Sequence, residues 1–275
     1  MYGDRLNSRD IERFLAEDEG FGDITTALLP AVDWSANVIS HEDGVVAGLS
    51  EAQSIFAYCN LVTAPLCCDG DVIKKDDTIL RVIGPVKDIL LTERVALNFL
   101  CRMSGIATIT RSCAKAAGAV TVAATRKTTP GFRLYEKKAV AIGGGDPHRY
   151  SLSEGYLFKD NHLKVISAED ALQQKTFFTK KVEIEVESVD DCVKAAKLGA
   201  DIIMFDNMDV EQITAAVSKL KALSLRGNVQ LEASGGIRPD NVRKYAATGV
   251  DVLSLGYLTH SSRWLDFSLE LDAPD

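Results

Sequence analysis

Between residues 125 and 164 the chain gathers eight basic side chains, Arg126, Lys127, Arg133, Lys137, Lys138, Arg149, Lys159 and Lys164, against four acidic ones, Glu136, Asp146, Glu154 and Asp160. The chain as a whole has 31 Lys and Arg against 39 Asp and Glu, a net charge of −8, so this is a basic island in an acidic protein. A short basic island in a net acidic protein suits a small polyanion better than a nucleic acid. Arginine pairs carboxylate and phosphate groups through two parallel hydrogen bonds, which neutral donors do not match in strength. The stretch therefore predicts a ligand with several carboxylates or phosphates. His148 and His162 lie in it, and Gly143-Gly144-Gly145 before Asp146-Pro147-His148-Arg149 permits a tight loop.

Acids and glycines follow. Glu183, Glu185 and Glu187 alternate along KVEIEVE and share one face of a strand. That face is either an edge turned to water or a lumen where the charges meet cations, a metal ion or sugar hydroxyls; buried and unpaired they would be expensive. Glu185 and Asp206 beside a polyanion suggest Mg²⁺ or hydroxyl recognition. Ser234-Gly235-Gly236-Ile237 runs toward a helix expected near Pro239, and Gly256-Tyr257 closes the next strand. A glycine turn feeding a helix exposes N–H groups suited to phosphate. No Ser-His-Asp or exposed Cys-His pattern supports covalent catalysis.

The elements that position these residues show in the apolar rhythm. From residue 119 onward, short runs (AVTVAAT, YLFKD, KVEIEVE, DIIMFDN, VQLEASGG, DVLSLG) alternate with helical stretches such as VDDCVKAAKLG and VEQITAAVSKLKAL. Repeated βα units predict a parallel sheet, here a (β/α) barrel or part of one. An open doubly wound sheet is the other possibility, though no G-x-G-x-x-G opens the first unit. Each run ends in polar residues: Thr125-Arg126-Lys127, Lys159 to His162, the glutamates, Asp206-Asn207, Ser234 to Gly236, and Gly256. In such barrels the C-terminal strand ends carry the active site. The first half reads as α+β. A helix is expected over 5–20, strands and a turn over 34–50, a helix over 51–62, and short strands up to Pro85. One long helix or two, interrupted near Ser104-Gly105, covers 88–117.

Composition excludes other classes. At 46% hydrophobic and 25% charged, the 275 residues describe a globular protein rather than a disordered or fibrous one. No stretch approaches the ~20 apolar residues of a membrane span. The polar N-terminus MYGDRLNSRD is not a secretory signal. The cysteines at 59, 67, 68, 101, 113 and 192 form no C-x-x-C pair and read as buried thiols in a reducing cytoplasm.

T-R-K-T-T-P-G-F-R-L-Y-E-K-K-A-V at 125–140, G-G-G-D-P-H-R at 143–149 and K-D-N-H at 159–162 resemble the quinolinate phosphoribosyltransferase family. T-E-R-V-A-L-N-F-L-C-R-M-S-G-I-A-T at 92–108 and the downstream E-I-E-V-E, F-D-N-M, E-A-S-G-G-I and S-L-G-Y-L-T-H-S fit in the same order. The resemblance implies an α/β protein with an N-terminal α+β sandwich domain (1–108, joined by the tail 262–275) and an incomplete TIM-like barrel (109–261). It implies a glycosyltransferase of de novo NAD biosynthesis. Its substrates are quinolinate and phosphoribosyl pyrophosphate with Mg²⁺, and it needs no organic cofactor, nucleic acid or membrane. It further implies a cytoplasmic homodimer, or a hexamer, in which Arg94 enters the neighbouring site. Arg126, His148, Arg149 and Lys159 would surround the two carboxylates. Lys127 would approach phosphoribosyl pyrophosphate, Glu185 and Asp206 its ribose and Mg²⁺, and Ser234, Gly235 and Gly256 its 5-phosphate, with Thr125, Gly236, Ser254 and Leu255 as further substrate-binding residues. Lys127, Lys159, Glu185 and Asp206 are the catalytic candidates.

One residue departs from the pattern. Pro147 stands where many members carry Asn, and Pro147-His148-Arg149 with Leu152-Ser153-Glu154 also resembles a relative associated with molybdenum transport. Those relatives tend to lack the K-D-N-H block present here. A barrel phosphate-sugar isomerase or aldolase and a non-catalytic ligand sensor are the remaining alternatives.

Overall fold

The computed structural model describes residues 6–173, 177 and 179–273. Arg5, at the start of the expected first helix, and the last two residues of the expected tail lie outside them. The chain divides into two compact units, residues 1–108 with 263–275, and residues 109–262.

In the first unit, α1 spans Ser8–Glu19, capped by Asn7, whose side chain accepts from Asp10 N at 3.0 Å. It buries Ile11 and Leu15. There follow β1 (Asp33–Ser40), β2 (Gly44–Val45), α2 (Leu49–Tyr58), β3 (Val62–Pro65), β4 (Val72–Ile73), β5 (Thr78–Pro85) and α3 (Val86–Ala117). The final strand of the chain, β12 (Phe267–Leu271), returns to this unit and completes an antiparallel sheet ordered β12-β1-β5-β3. Val38 pairs with Leu269 on one side and Leu80 on the other. Alternation along β1 buries Ala36 and Val38, as a sheet with one dry face requires.

Helix α3 corrects the expected interruption: its 32 residues are continuous through Ser104 and Gly105. Ser104 Oγ accepts from Ala47 N at 2.9 Å and donates to Ala47 O at 3.1 Å. A Cβ on Gly105 would lie 2.0 Å from Arg263 O. The glycine therefore serves a close backbone approach and not a helix break.

The second unit holds β6 (Thr121–Ala124), α4 (Arg133–Ile142), β7 (Tyr156–Phe158), α5 (Asp160–Leu163), α6 (Ala168–Gln173), β8 (Val182–Val186), α7 (Val189–Lys197), β9 (Ile202–Asp206), α8 (Val210–Ala222), β10 (Gln230–Ser234), α9 (Val242–Ala246), β11 (Val252–Leu255) and α10 (Tyr257–His260). The six strands form one parallel sheet ordered β6-β11-β10-β9-β8-β7. β6 and β7 are its two edges, so the barrel is incomplete. Asp146 extends the β6 edge, donating to Val122 O at 2.8 Å and accepting from Ala124 N at 2.9 Å. Caps start the helices soon after the strands: Ser188 accepts from Asp191 N, and Asp209 with Gln212 forms a reciprocal capping box. All five residues of β8 are buried, which decides the two readings of its glutamates. Glu183 and Glu185 face the interior, whereas Glu187 lies past the strand and is exposed.

The cysteines depart from expectation in part. Cys101, Cys113 and Cys192 are buried, Cys59 and Cys67 are half-buried, and Cys68 is exposed; all six are free. Burial pushes the Cys192 thiol up to about 12, which keeps it protonated and inert. Among the described residues no helix is long and apolar enough to cross a membrane.

Candidate active site

The C-terminal ends of the parallel strands open into a cavity of about 270 Å³, lined by Ala124, Thr125, Arg126, Lys127, His148, Arg149, Leu157, Lys159, Met204, Asp206, Glu232, Ser234 and Ser254. A second cavity, of about 440 Å³, runs beside β8 among Asp160, Glu185, Glu187 and Asp191. Lys194 is the basic residue in its lining, so its field suits a polyanion far less well than the first.

Strand β7 delivers Lys159, whose Nζ forms an ion pair with Glu185 Oε2. Glu185 Oε1 also receives Asp160 N at 3.4 Å. Lys159 N donates to His162 Nδ1 at 3.0 Å, so the exposed His162 caps α5. Asp206, at the end of β9, accepts from Asn207 Nδ2 at 2.6 Å. Burial, and next the charge of Glu185, hold the Asp206 carboxyl above its ordinary range.

Apart from Lys159, which pairs with Glu185, the basic groups are only partly compensated inside the protein. Arg126 Nε is buried without an acceptor. Burial, followed by the Arg126 charge, lowers the pKa of Arg149. Lys137, fully buried on α4, donates to Pro147 O, and burial and then Arg133 push its amine down to about 8. Cations crowded together with unused donors are what an anionic ligand completes.

Two glutamates lie beneath them. His148 Nε2 is 3.2 Å from Glu232 Oε2 and 4.0 Å from Glu183 Oε2. Both carboxylates are buried, and each leaves its Oε1 without a partner. Burial, then the Glu232 charge, raises the pKa of Glu183. For His148, burial lowers the pKa, but the Glu232 hydrogen bond and the charges of Glu232 and Glu183 outweigh it and leave a net rise. These three groups lie within 4.8 Å of one another, near enough to hold a cation. The Arg149 and Lys159 charges already act on this pair.

The glycine turns complete the strand ends. Gly235 and Gly236 have φ +89° and +63°, and a Cβ on Gly235 would lie 2.3 Å from Asn207 Oδ1. The next helix starts at Val242 rather than near Pro239 and spans five residues. Asn241 shapes the turn instead, accepting from Arg238 N at 2.7 Å and donating to Gly236 O at 3.0 Å. Gly256 sits against Lys127 and His260, where a Cβ would come within 3.1 Å of Lys127 Cδ.

Residues 23–104 match the family model described as quinolinate phosphoribosyl transferase, N-terminal domain, and residues 106–270 match that of the C-terminal domain. The chain belongs to the quinolinate phosphoribosyltransferase family. It is 48% identical over 256 residues to the probable nicotinate-nucleotide pyrophosphorylase (carboxylating) of Archaeoglobus fulgidus, covering 91% of this chain and 98% of that protein. It is 39% identical to the nicotinate-nucleotide pyrophosphorylase (carboxylating) of Rattus norvegicus, covering 92% and 86%. The solved nicotinate-nucleotide pyrophosphorylase from Francisella tularensis superposes with a TM-score of 0.91 at 35% identity, covering 96% of this chain and 95% of that one.

Of the residues the quinolinate phosphoribosyltransferase motifs point to, Thr125, Arg126, Lys127, His148, Arg149, Lys159, Asp206, Ser234 and Ser254 line one cavity. Glu185 joins it through Lys159. Gly235, Gly236, Leu255 and Gly256 shape the strand ends without lining the wall. Arg94 stands in the first unit, exposed and 3.6 Å from Glu93. Sequence reasoning passed over Glu232, Leu157 and Met204 and gave Glu183 no place in the site. The signal was available: Glu232, Leu157 and Met204 each stand two residues before a chosen residue on the same strand face.

Proposed function

We propose that the protein transfers the phosphoribosyl group of phosphoribosyl pyrophosphate to quinolinate, with decarboxylation, yielding nicotinate mononucleotide, pyrophosphate and CO₂ in NAD biosynthesis. The convergence of Arg126, Lys127, Arg149 and Lys159 on one cavity, with Asp206 and Glu232 in the same lining and Glu185 paired to Lys159, carries this reading. Arg126 and Arg149 pair with the two carboxylates of quinolinate and orient its ring. Lys127, Ser234 and the turns at Gly235-Gly236 and Gly256 take the phosphoribosyl moiety. The pyridine nitrogen then forms a bond to ribose C1 as the bond from C1 to pyrophosphate breaks. Cationic charge develops at C1, and Asp206 and Glu185 stabilise it from fixed positions. In the adduct the bond from C2 to its carboxylate breaks. The electron pair stays on C2 beside the cationic nitrogen, CO₂ leaves, and C2 takes a proton.

Glu185 and Asp206 are the residues that would hold Mg²⁺ with the pyrophosphate. Hard oxygen donors suit this ion, and a divalent charge would offset both the burial and the neighbouring Glu185 charge that raise Asp206. Bound there, the ion would supply positive charge to neutralise the leaving group. The expected setting is the cytoplasm, and the expected assembly is a homodimer, alone or within a hexamer, with Arg94 completing the partner's site. Mixing Arg94→Ala with Lys159→Ala subunits then restores about a quarter of the native activity, because half the dimers are mixed and each has one intact site. No recovery in mixed dimers refutes the shared site. For the reaction itself, purified protein with quinolinate, phosphoribosyl pyrophosphate and Mg²⁺ releases one CO₂ and one pyrophosphate per nicotinate mononucleotide. No nucleotide, or nucleotide without CO₂, overturns the reading.

A further inference from the structure

Two glutamates buried beneath a cavity for a dicarboxylate need a reason, since they repel the ligand and are costly to bury. The corner Asp146-Pro147-His148-Arg149 supplies one. His148 holds a left-handed backbone at φ +53°, a conformation that persists in a non-glycine residue only where surrounding contacts impose it. Those contacts are present. Asp146 is locked to the β6 edge, Pro147 O accepts from the buried Lys137, and His148 N donates to Asp146 Oδ1 at 2.6 Å. Arg149 N donates to His148 Nδ1 at 2.7 Å. A ring nitrogen that accepts carries no proton, so the imidazole has its proton on Nε2, which faces Glu232 Oε2 at 3.2 Å. The pull of the two carboxylates toward a second ring proton is opposed by the Arg149 amide, which occupies the place of that proton. Both ring nitrogens are thus committed within the protein, and the chain of contacts reaches Arg149 at the cavity wall, whose Nη1 also donates to Gly155 O at 3.3 Å.

We propose that Glu232, backed by Glu183, is a positioning residue: through His148 it fixes the tautomer that holds the Arg149 amide, and so aims Arg149 at a carboxylate of the bound pyridine dicarboxylate. The proposal rests on the quinolinate reading and adds to it how the Arg149 arm is held. It assigns His148 a role through Arg149 rather than a direct contact with substrate.

The test combines ¹⁵N spectra of the imidazoles with steady-state kinetics of Glu232→Leu and Glu232→Gln. The wild-type spectrum shows His148 as the neutral Nε2–H tautomer. Glu232→Leu loses that signature and raises the KM for quinolinate about tenfold, with the KM for phosphoribosyl pyrophosphate within about twofold. Glu232→Gln, whose amide oxygen still accepts from Nε2–H, stays within about threefold of wild type. A wild-type Nδ1–H tautomer, an unchanged quinolinate KM in a folded Glu232→Leu, or a Gln variant as poor as Leu overturns the proposal. Should the Leu variant fail to fold, the wild-type spectrum and the Gln variant still decide. The spectrum needs no substrate, so it succeeds or fails apart from the quinolinate reading, which fails instead if wild type turns over none.

Discussion

Replacing Arg126 by Ala separates binding from stability. Arg126 has no carboxylate within ion-pair distance among the described residues, and its Nε is buried without an acceptor. Its charge also depresses the pKa values of Arg149 and Lys137. In the free protein the side chain therefore costs more than it contributes, and its removal leaves stability unchanged or slightly higher. A gain of about 1 kcal/mol would raise Tm by about 2–4 °C for a protein of this size. On the proposed reading, the same guanidinium in the complex would make charge-assisted hydrogen bonds worth about 1.5–3 kcal/mol each. Losing a bidentate pair at about 3 kcal/mol weakens quinolinate about 100-fold, at 1.36 kcal/mol per factor of ten. Thermal denaturation of the free protein and the KM for each substrate are measured on one preparation. A Tm lowered by more than about 10 °C with quinolinate KM unchanged would refute the reasoning.

Three other substitutions follow from the same geometry. Gly105→Ala reverses the usual sign: an exposed helical glycine gains about 1 kcal/mol on becoming alanine, but here the Cβ meets Arg263 O at 2.0 Å, so urea denaturation shows a loss of several kcal/mol. Gly235→Ala places a Cβ 2.3 Å from Asn207 Oδ1 at φ +89°. It lowers stability by about 2 kcal/mol or more and raises the KM for phosphoribosyl pyrophosphate above that for quinolinate. Lys137 has a folded-state pKa of about 8 against an ordinary 10.5, so the unfolded chain binds the extra proton between those values. Its contribution to stability is therefore least favourable below about pH 8 and rises as pH climbs to 10.5. The stability difference between wild type and Lys137→Met grows over that window, and a difference independent of pH contradicts the assignment.

The strand ends of the second unit were legible because two patterns coincide there. Apolar runs such as DIIMF and VQLEA mark strands, and the polar residues closing them fall on the face that period-two alternation selects. Hence Arg126, Lys159, Asp206 and Ser234 stand out at the strand ends from the alternation alone, and they line one cavity. What escaped the sequence was set by approach between distant segments. Ser104-Gly105 looks like a helix break locally, and only the passage of Arg263 over Gly105 explains the glycine. Pro239 looks like a helix start, yet the Asn241 side chain turns back to Gly236 and delays the helix to Val242. Glu232 reads as one acid in a strand until His148, 84 residues away in sequence, meets its carboxylate. Cys68 looks like a small core residue until its place in a surface turn exposes it.

On the quinolinate reading, the cavity takes two carboxylates at once, one for each of Arg126 and Arg149. Turnover with quinolinate against nicotinate, each with phosphoribosyl pyrophosphate and Mg²⁺, tests it most directly. Nicotinate lacks one carboxylate, so Arg126 and Arg149 cannot both be paired. Leaving a buried charged group unpaired costs about 3 kcal/mol or more, and kcat/KM for nicotinate falls at least about 100-fold below that for quinolinate. Comparable kcat/KM values for the two substrates would contradict the account.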